Sequence, residues 1–530
     1  MLLYLFSNQK VKGKLFNTVT LSMIVLLYSC NHFKKNKPHQ NIDDTSIENG
    51  RRLAATYCQS CHLLPDPSLL DSKGWEEGVL PGMGPRLGIF YYGGFKEYPS
   101  SRNDKNLDKN YYPSKPLLKL TDWQNIIDYY TSLSPDSLPG QQRQYAVNKN
   151  DFLFKLESPK LTGNVAATCL IKIDTTVLPH QLFAGDLMRN KIFRYNNSLQ
   201  LVDSIKTTGP VVDIEVNHKE IFTCNIGVMN PNNGKFGSVS KIKIDTKEKM
   251  QADSIKLFDK LARPVQITSA DFNGDGKTDY LVCEYGNLTG ALSWMENMGN
   301  EKYVRHVLRN EPGAIKAYIR DVNNDGLPDI WILFSQGDEG IFLFTNKGHG
   351  KFDQETVLRF QSIFGSTYFE LDDINKDGQP DIIYTCGDNA DYSPVLKPYH
   401  GIYIYLNDGS NHFNQQYFFP MHGCFKAIAR DFDGDGDLDL AAISFFADYH
   451  NHPEESFIYL ENKGNLNFRP YSIPGTNSGR WLTMDAGDVN GDEKPDVVLG
   501  NFSVAPSFIK GTVNWQEGPS FIVLKNIIKK

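Results

Sequence analysis

Between residues 271 and 500 short apolar runs alternate with acidic turns. The runs YLVC, IWIL, IIYT, LAAI and VVLG each follow a nine-residue stretch of the form Asp-x-Asx-x-Asp-Gly/Glu-x-x-Asp. These stretches begin at Asp271, Asp321, Asp373, Asp431 and Asp488, so they recur every 50, 52, 58 and 57 residues. Short apolar runs bounded by turn residues read as buried strands. The first four units also carry an Asn-x-Gly hairpin turn, at Asn297, Asn346, Asn407 and Asn462. Several strands per repeat at this period predict a β-propeller. Two degenerate units begin at Asp174 and Asp213 and keep the rhythm without the acidic loop, which makes seven blades. The last unit lacks a fourth strand after Leu524, and Phe152–Glu157 is expected to supply it, removing a free sheet edge.

Residues 46–134 have a different period. Ile47, Leu53 and Ala54 mark one amphipathic helix, and Trp123, Ile126, Ile127 and Tyr130 mark a second over 121–133, with Thr121 or Asp122 as its cap. A small all-α domain is therefore predicted before the all-β one. Residues 135–150 are polar with two prolines and read as a linker separating the two folds; the propeller is expected to occupy 151–530. At the N-terminus, Lys10, Lys12 and Lys14 precede an apolar run from Leu15 to Ser29, too short for a span and suited to a signal peptide over 1–29. Residues 30–45 read as a tether.

Net charge is −7, which argues against nucleic acid as a partner. Of eight cysteines, Cys169, Cys224, Cys283, Cys386 and Cys424 lie in strand-like sequence, and their odd number argues for small buried side chains over a disulfide framework.

Two constellations carry chemistry. Cys58-Gln59-Ser60-Cys61-His62 places two thiols where both vinyl groups of one haem can add, with an imidazole beside them to reach the iron. In the acidic loops, side-chain oxygens at positions 1, 3, 5 and 9 suit a hard cation, Ca²⁺ over Zn²⁺. These are Asp271, Asn273, Asp275 and Asp279; Asp321, Asn323, Asp325 and Asp329; Asp373, Asn375, Asp377 and Asp381; Asp431, Asp433, Asp435 and Asp439; and Asp488, Asn490, Asp492 and Asp496. Glu493 replaces the turn glycine in the fifth loop, which is expected to be weaker or distorted. On the opposite propeller face, Arg263, Lys316, His422 and Arg480, with Glu284, Asp388, Asp391, Asp448, Tyr449 and His450, are expected to form a solvated polar rim.

Residues 46–134 resemble a monohaem cytochrome c. The resemblance implies one covalent haem c and a distal methionine in a Pro/Gly-rich loop, here Met83 in Pro81-Gly82-Met83-Gly84-Pro85. The acidic repeats resemble the FG-GAP or VCBS family, whose blades resemble integrin α-subunits, and imply about five structural Ca²⁺ ions. Leu27-Tyr28-Ser29-Cys30 resembles a bacterial lipoprotein box, implying lipidation of Cys30 and a membrane anchor on the periplasmic or outer-membrane surface of the cell envelope. The expectation is an exported electron-transfer lipoprotein whose propeller face docks a redox partner protein or surface ligand. The alternative is a haem-containing oxidoreductase with substrate bound on that face.

Overall fold

A computed structural model describes residues 42–93, 96–159, 165–217, 219–245, 249–251, 255–390, 395–504 and 514–529; the leader, Cys30 and Asp391 fall outside these ranges. Among the described residues no helix is long and apolar enough to cross a membrane.

The first helix, Asp44–Tyr57, starts where the Asp43 side chain accepts from the Thr45 amide at 3.2 Å. The second long helix, Leu120–Leu133, starts at an N-cap of Lys119 with no side-chain bond, so neither Thr121 nor Asp122 caps it. It buries Trp123, Ile126 and Tyr130, with Ile127 at the margin. The helices meet at Gly50, where a Cβ would lie 1.9 Å from the Asn125 carbonyl oxygen and 2.7 Å from Tyr129 Cβ. Only glycine permits that approach. Trp75, 4.3 Å from the Tyr130 ring, closes the core and donates Nε1–H to the Pro67 carbonyl at 2.8 Å.

Seven antiparallel sheets follow in chain order, each built from consecutive strands. Blades 1 to 6 span 168–206, 211–261, 264–309, 314–359, 366–420 and 424–472. Blade 7 takes three strands from 481–526, and Phe154–Glu157 supplies its fourth by pairing antiparallel with Phe521–Asn526. The strand expected at the N-terminal end thus closes the ring. Second strands such as Asp329–Phe334 and Asp439–Ser444 are buried along their whole length because neighbouring blades cover both faces. Each large apolar side chain buried there contributes about 1.5–3 kcal/mol. The five strand cysteines are all buried and free, as expected.

In blade 2, Asp213 lies in the inner strand Val211–Asn217, which pairs antiparallel with Glu220–Asn225, the rhythm expected from the sequence. One reading needs correction: residues 135–150 are no free linker. Gln141 Nε2 donates to the His400 carbonyl at 2.8 Å. Arg143 Nε donates to the Pro420 carbonyl at 3.1 Å, and its guanidinium pairs with the buried Glu455. Asn148–Lys149 then adds a parallel fifth strand to blade 6 beside Tyr471–Ser472. The segment is polar because it hydrogen-bonds to the propeller.

Around the axis, each inner strand reaches the backbone of the next blade with at least one side chain. Cys169 Sγ meets the Val211 carbonyl (3.3 Å), Asp213 accepts from the Ile267 amide (3.0 Å), and Gln266 accepts from the Ala317 amide (2.6 Å). Arg320 donates to the Leu371 carbonyl (2.6 Å), and Glu370 accepts from the Ala429 amide (2.7 Å). Lys426 donates to the Met484 carbonyl (2.8 Å), and Asp485 accepts from the Ile173 amide (2.8 Å). These bonds satisfy groups at the seven seams.

Candidate functional site

The first candidate site follows directly from the end of the first helix. Cys58 is its C-cap residue, half-buried against the helical core; Cys61 is exposed, its amide 3.5 Å from the Cys58 carbonyl. Burial, with a smaller contribution from Cys61, pushes the Cys58 thiol up to about 12 and keeps it protonated. His62 is half-buried, and burial lowers its pKa, so the imidazole is held neutral. Its Nδ1 lies 2.9 Å from the Leu63 carbonyl. That contact fits an Nδ1–H donor and leaves Nε2 with a free lone pair, the form in which histidine binds a metal. Met83 is half-buried on the same core, but at the end of a short helix, Leu80–Met83, followed by a 3₁₀ turn at Gly84–Leu87. The expected irregular loop is therefore helical. Cys58 and Met83 pack on one apolar core, and Cys61 and the oriented His62 imidazole follow Cys58 in the chain; two thiols, an imidazole and a thioether are the donor chemistry of a c-type haem.

The second candidate is the ring of acidic loops, all between strands 1 and 2 of blades 3 to 7. Each wraps around its own first aspartate. In blade 5 Asp373 accepts from the Asp377 amide (3.0 Å) and the Gly378 amide (2.8 Å). The fifth loop keeps this wrap, with Glu493 donating its amide to Asp488 at 2.9 Å. Glu493 does so at φ 63°, a left-handed conformation that favours glycine. The expected distortion is thus absent from the loop's shape and stored instead in one residue's backbone.

The ninth aspartate is the most constrained ligand candidate. Asp279, Asp329, Asp381, Asp439 and Asp496 are all buried. Each accepts from the amide of the loop's second residue and from the amide of an asparagine closing the third strand; for Asp439 these are Phe432 (3.2 Å) and Asn462 (2.8 Å). The Tyr459 hydroxyl also donates to Asp439 Oδ2 at 2.8 Å, so in blade 6 it is Oδ1, with one bond, that keeps a lone pair for a cation. In blade 6 the oxygens of Asp431, Asp433 and Asp439 lie within 4.8 Å of one another, and Asp435 is not part of that group. Burial raises Asp439 to about 7 and Asp433 to about 6, with neighbouring carboxylates adding to both. Buried carboxylates at this spacing fit a divalent cation that would offset their charge. Position 5 is engaged elsewhere in blade 3, where Asp275 pairs with Lys277 at 2.6 Å.

Glu296 and Glu461, just before the closing asparagines of blades 3 and 6, were missed from sequence. Glu296 accepts from Asn273 Nδ2 at 3.0 Å and lies 2.8 Å from His306 Nε2. The charge of Glu461 raises Asp433. An acid before Asn-x-Gly is the only signal that could have found them.

The opposite face differs from the solvated rim expected of it. Arg263, Arg480, His422 and Glu284 are buried. Arg263 Nη1 donates to the Gly286 carbonyl at 2.5 Å, and Arg480 Nε donates to the Phe445 carbonyl at 3.0 Å. His422 Nδ1 contacts Glu455 at 3.0 Å, and burial pushes it down to about 4. These groups brace loops that fold over them. Lys316, on the inner strand of blade 4, is half-buried with its Nζ 4.7 Å from the Tyr318 ring centre.

The family model described as FG-GAP-like repeat matches residues 271–332, 321–384 and 431–499. A T-cell immunomodulatory protein homolog of Plasmodium falciparum (isolate 3D7) is 26% identical over 252 residues, which cover 37% of this chain. The match spans only about a third of that relative, 32% of its length. Among solved structures, Saccharomyces cerevisiae Sqt1 aligns with 72% of this chain and 100% of its own at 8% identity and a TM-score of 0.42. BBS1N in complex with ARL6DN aligns with 71% of this chain and 97% of its own at 10% identity and a TM-score of 0.44. Residues 271–384 and 431–499 are FG-GAP-like repeats, carried on blades 3 to 7 of a seven-bladed β-propeller.

Proposed function

We propose that this protein is an exported electron carrier of the cytochrome c kind, with a calcium-stabilised propeller as docking platform for a redox partner or surface ligand. The observation that carries the reading is the His62 imidazole, its Nδ1 on the Leu63 carbonyl and its Nε2 free, directly after two cysteines spaced for thioether attachment. Cys58 and Cys61 would hold the haem, with His62 and Met83 as iron ligands; when bound, the haem supplies reversible one-electron chemistry. The helical core of Trp75, Trp123 and Tyr130 excludes water from one side of the site. Tight packing at Gly50 supports the same reading, because it fixes the helix that presents the cysteines. The acidic loops, above all Asp431, Asp433 and Asp439, would hold Ca²⁺ and tie strands together. The signal-like leader and Cys30 support export and a lipid anchor in the cell envelope.

The test is chemical. Acid-acetone extraction should leave the colour with the protein, and Cys58→Ala with Cys61→Ala should abolish it. Met83→Ala should remove the far-red band of sulfur-bonded ferric iron and lower the potential. Colour that extracts freely would refute covalent attachment and the reading with it.

A further inference from the structure

We infer that the inner strands of blades 4, 5 and 6 build a site for a small oxyanion, with the ammonium groups of Lys316 and Lys426 as its anchors. It does not depend on the haem reading.

The site grows out of strand periodicity. Lys316 and Tyr318 alternate along Ala314–Arg320, so both side chains leave the same face of that strand. That face is turned to blade 5, where the Tyr318 and Tyr368 hydroxyls lie 2.8 Å apart. Tyr368 in turn meets blade 6, with the Lys426 Nζ 4.8 Å from its ring centre. The Lys316 Nζ lies 5.8 Å from the same centre. Two ammonium groups, from blades 4 and 6, thus share one ring on blade 5. All four side chains are half-buried although they sit on the innermost strands, so solvent reaches them beside the axis.

Donors here outnumber acceptors. Among the described residues neither ammonium is paired with a carboxylate: Lys426 donates once, to the Met484 carbonyl at 2.8 Å, and Lys316 meets only the two tyrosine rings. An ammonium has three N–H donors, so Lys426 keeps two and Lys316 all three. The tyrosine pair uses one hydroxyl proton between its oxygens and leaves the other without an acceptor. The carboxylates on neighbouring inner strands are spent elsewhere. Asp213 accepts from the Ile267 amide at 3.0 Å, and Asp485 from the Ile173 and Ala486 amides at 2.8 and 3.1 Å. Glu370 accepts from the Ala429 amide at 2.7 Å and from Arg430 at 3.0 Å. Burial lowers both ammonium groups in spite of these acids, Lys426 to about 8, so their charge is under-compensated. A bound anion would offset it with charge-assisted hydrogen bonds. Free donors on two lysines and a tyrosine call for several acceptor atoms, which favours an oxyanion over a halide.

The experiment is a calorimetric titration of the intact protein in chloride buffer with inorganic phosphate and, separately, with succinate. Wild type should take up at least one of the two at a single site, and the tighter probe tells an inorganic from a carboxylate ligand. Lys316→Met and Lys426→Met should each weaken binding about ten- to a hundredfold, the effect of losing one charge-assisted contact. Lys316→Arg keeps the charge and should keep most of the affinity. Binding that survives both methionine substitutions belongs elsewhere on the protein and overturns the inference, as does a wild type that takes up neither probe. A second measurement needs no variant. The probe that binds should slow reductive methylation of Lys316 and Lys426 in wild type, read by mass spectrometry, and leave the exposed Lys115 unchanged. Equal slowing at all three, or none, overturns the inference.

Discussion

The carboxylate of Asp485, on the inner strand of blade 7, accepts a 2.8 Å hydrogen bond from the backbone amide of Ile173 in blade 1. It is the seam where the ring returns on itself. Asp485→Ala would leave that amide without its partner and should cost about 1–3 kcal/mol in denaturant unfolding. Asp485→Asn keeps an acceptor and should cost less. Equal losses from the two would assign the effect to the charge near Lys172 and not to the hydrogen bond.

Gly50→Ala places a methyl 1.9 Å from a backbone oxygen that cannot swing away. The helices must part, a loss on the order of 1–3 kcal/mol of the kind seen on overpacking. Limited proteolysis should cut the helical domain first and leave the propeller intact. Unchanged protection of residues 44–133 would sink the prediction.

Removing divalent cations should lower the propeller's melting temperature, since a ligand held only by the folded state contributes about 3–4 kcal/mol at 100 to 1,000 times its dissociation constant. Asp431→Ala should remove most of the blade 6 share, because that loop gathers three carboxylates. Calorimetry with and without chelator checks both; identical traces would mean the loops are plain turns.

Burial lowers the Lys426 ammonium to about 8 in the axial channel. Below that pH the group is charged in both states and its desolvation cost is fully present. Between about 8 and the ordinary lysine value near 10.4, the folded state has released a proton that the unfolded state keeps, so stability rises with pH. The difference in stability, wild type minus Lys426→Met, should therefore increase by on the order of 1–3 kcal/mol as pH rises across that window. A flat difference would show that the lysine is not desolvated.

Much of this architecture was legible because the acidic loops recur at near-fixed spacing. The five loops gave the blade period, and the unpaired strand at Phe154–Glu157 followed from counting. Blade 2 was found from Asp213 by its strand-loop-strand rhythm alone, since it lacks the acidic loop that marks the turn elsewhere. The axial seams were not legible at all. Cys169, Asp213, Gln266, Arg320, Glu370, Lys426 and Asp485 play one role with six kinds of side chain, so no pattern recurs. At the His62 site the sequence names what lies within one stretch of chain. It does not name Tyr399, whose hydroxyl reaches the Leu69 carbonyl only when blade 5 has folded.

The pairing of Phe154–Glu157 with Phe521–Asn526 also imposes an order of assembly. A chain made from its N-terminus can fold its helices early. The strand at 154–157 must then wait, unpaired, until nearly the whole of the remaining chain has emerged. Blade 7 is thus completed last, and until then the ring whose other blades contact the helical domain is still open.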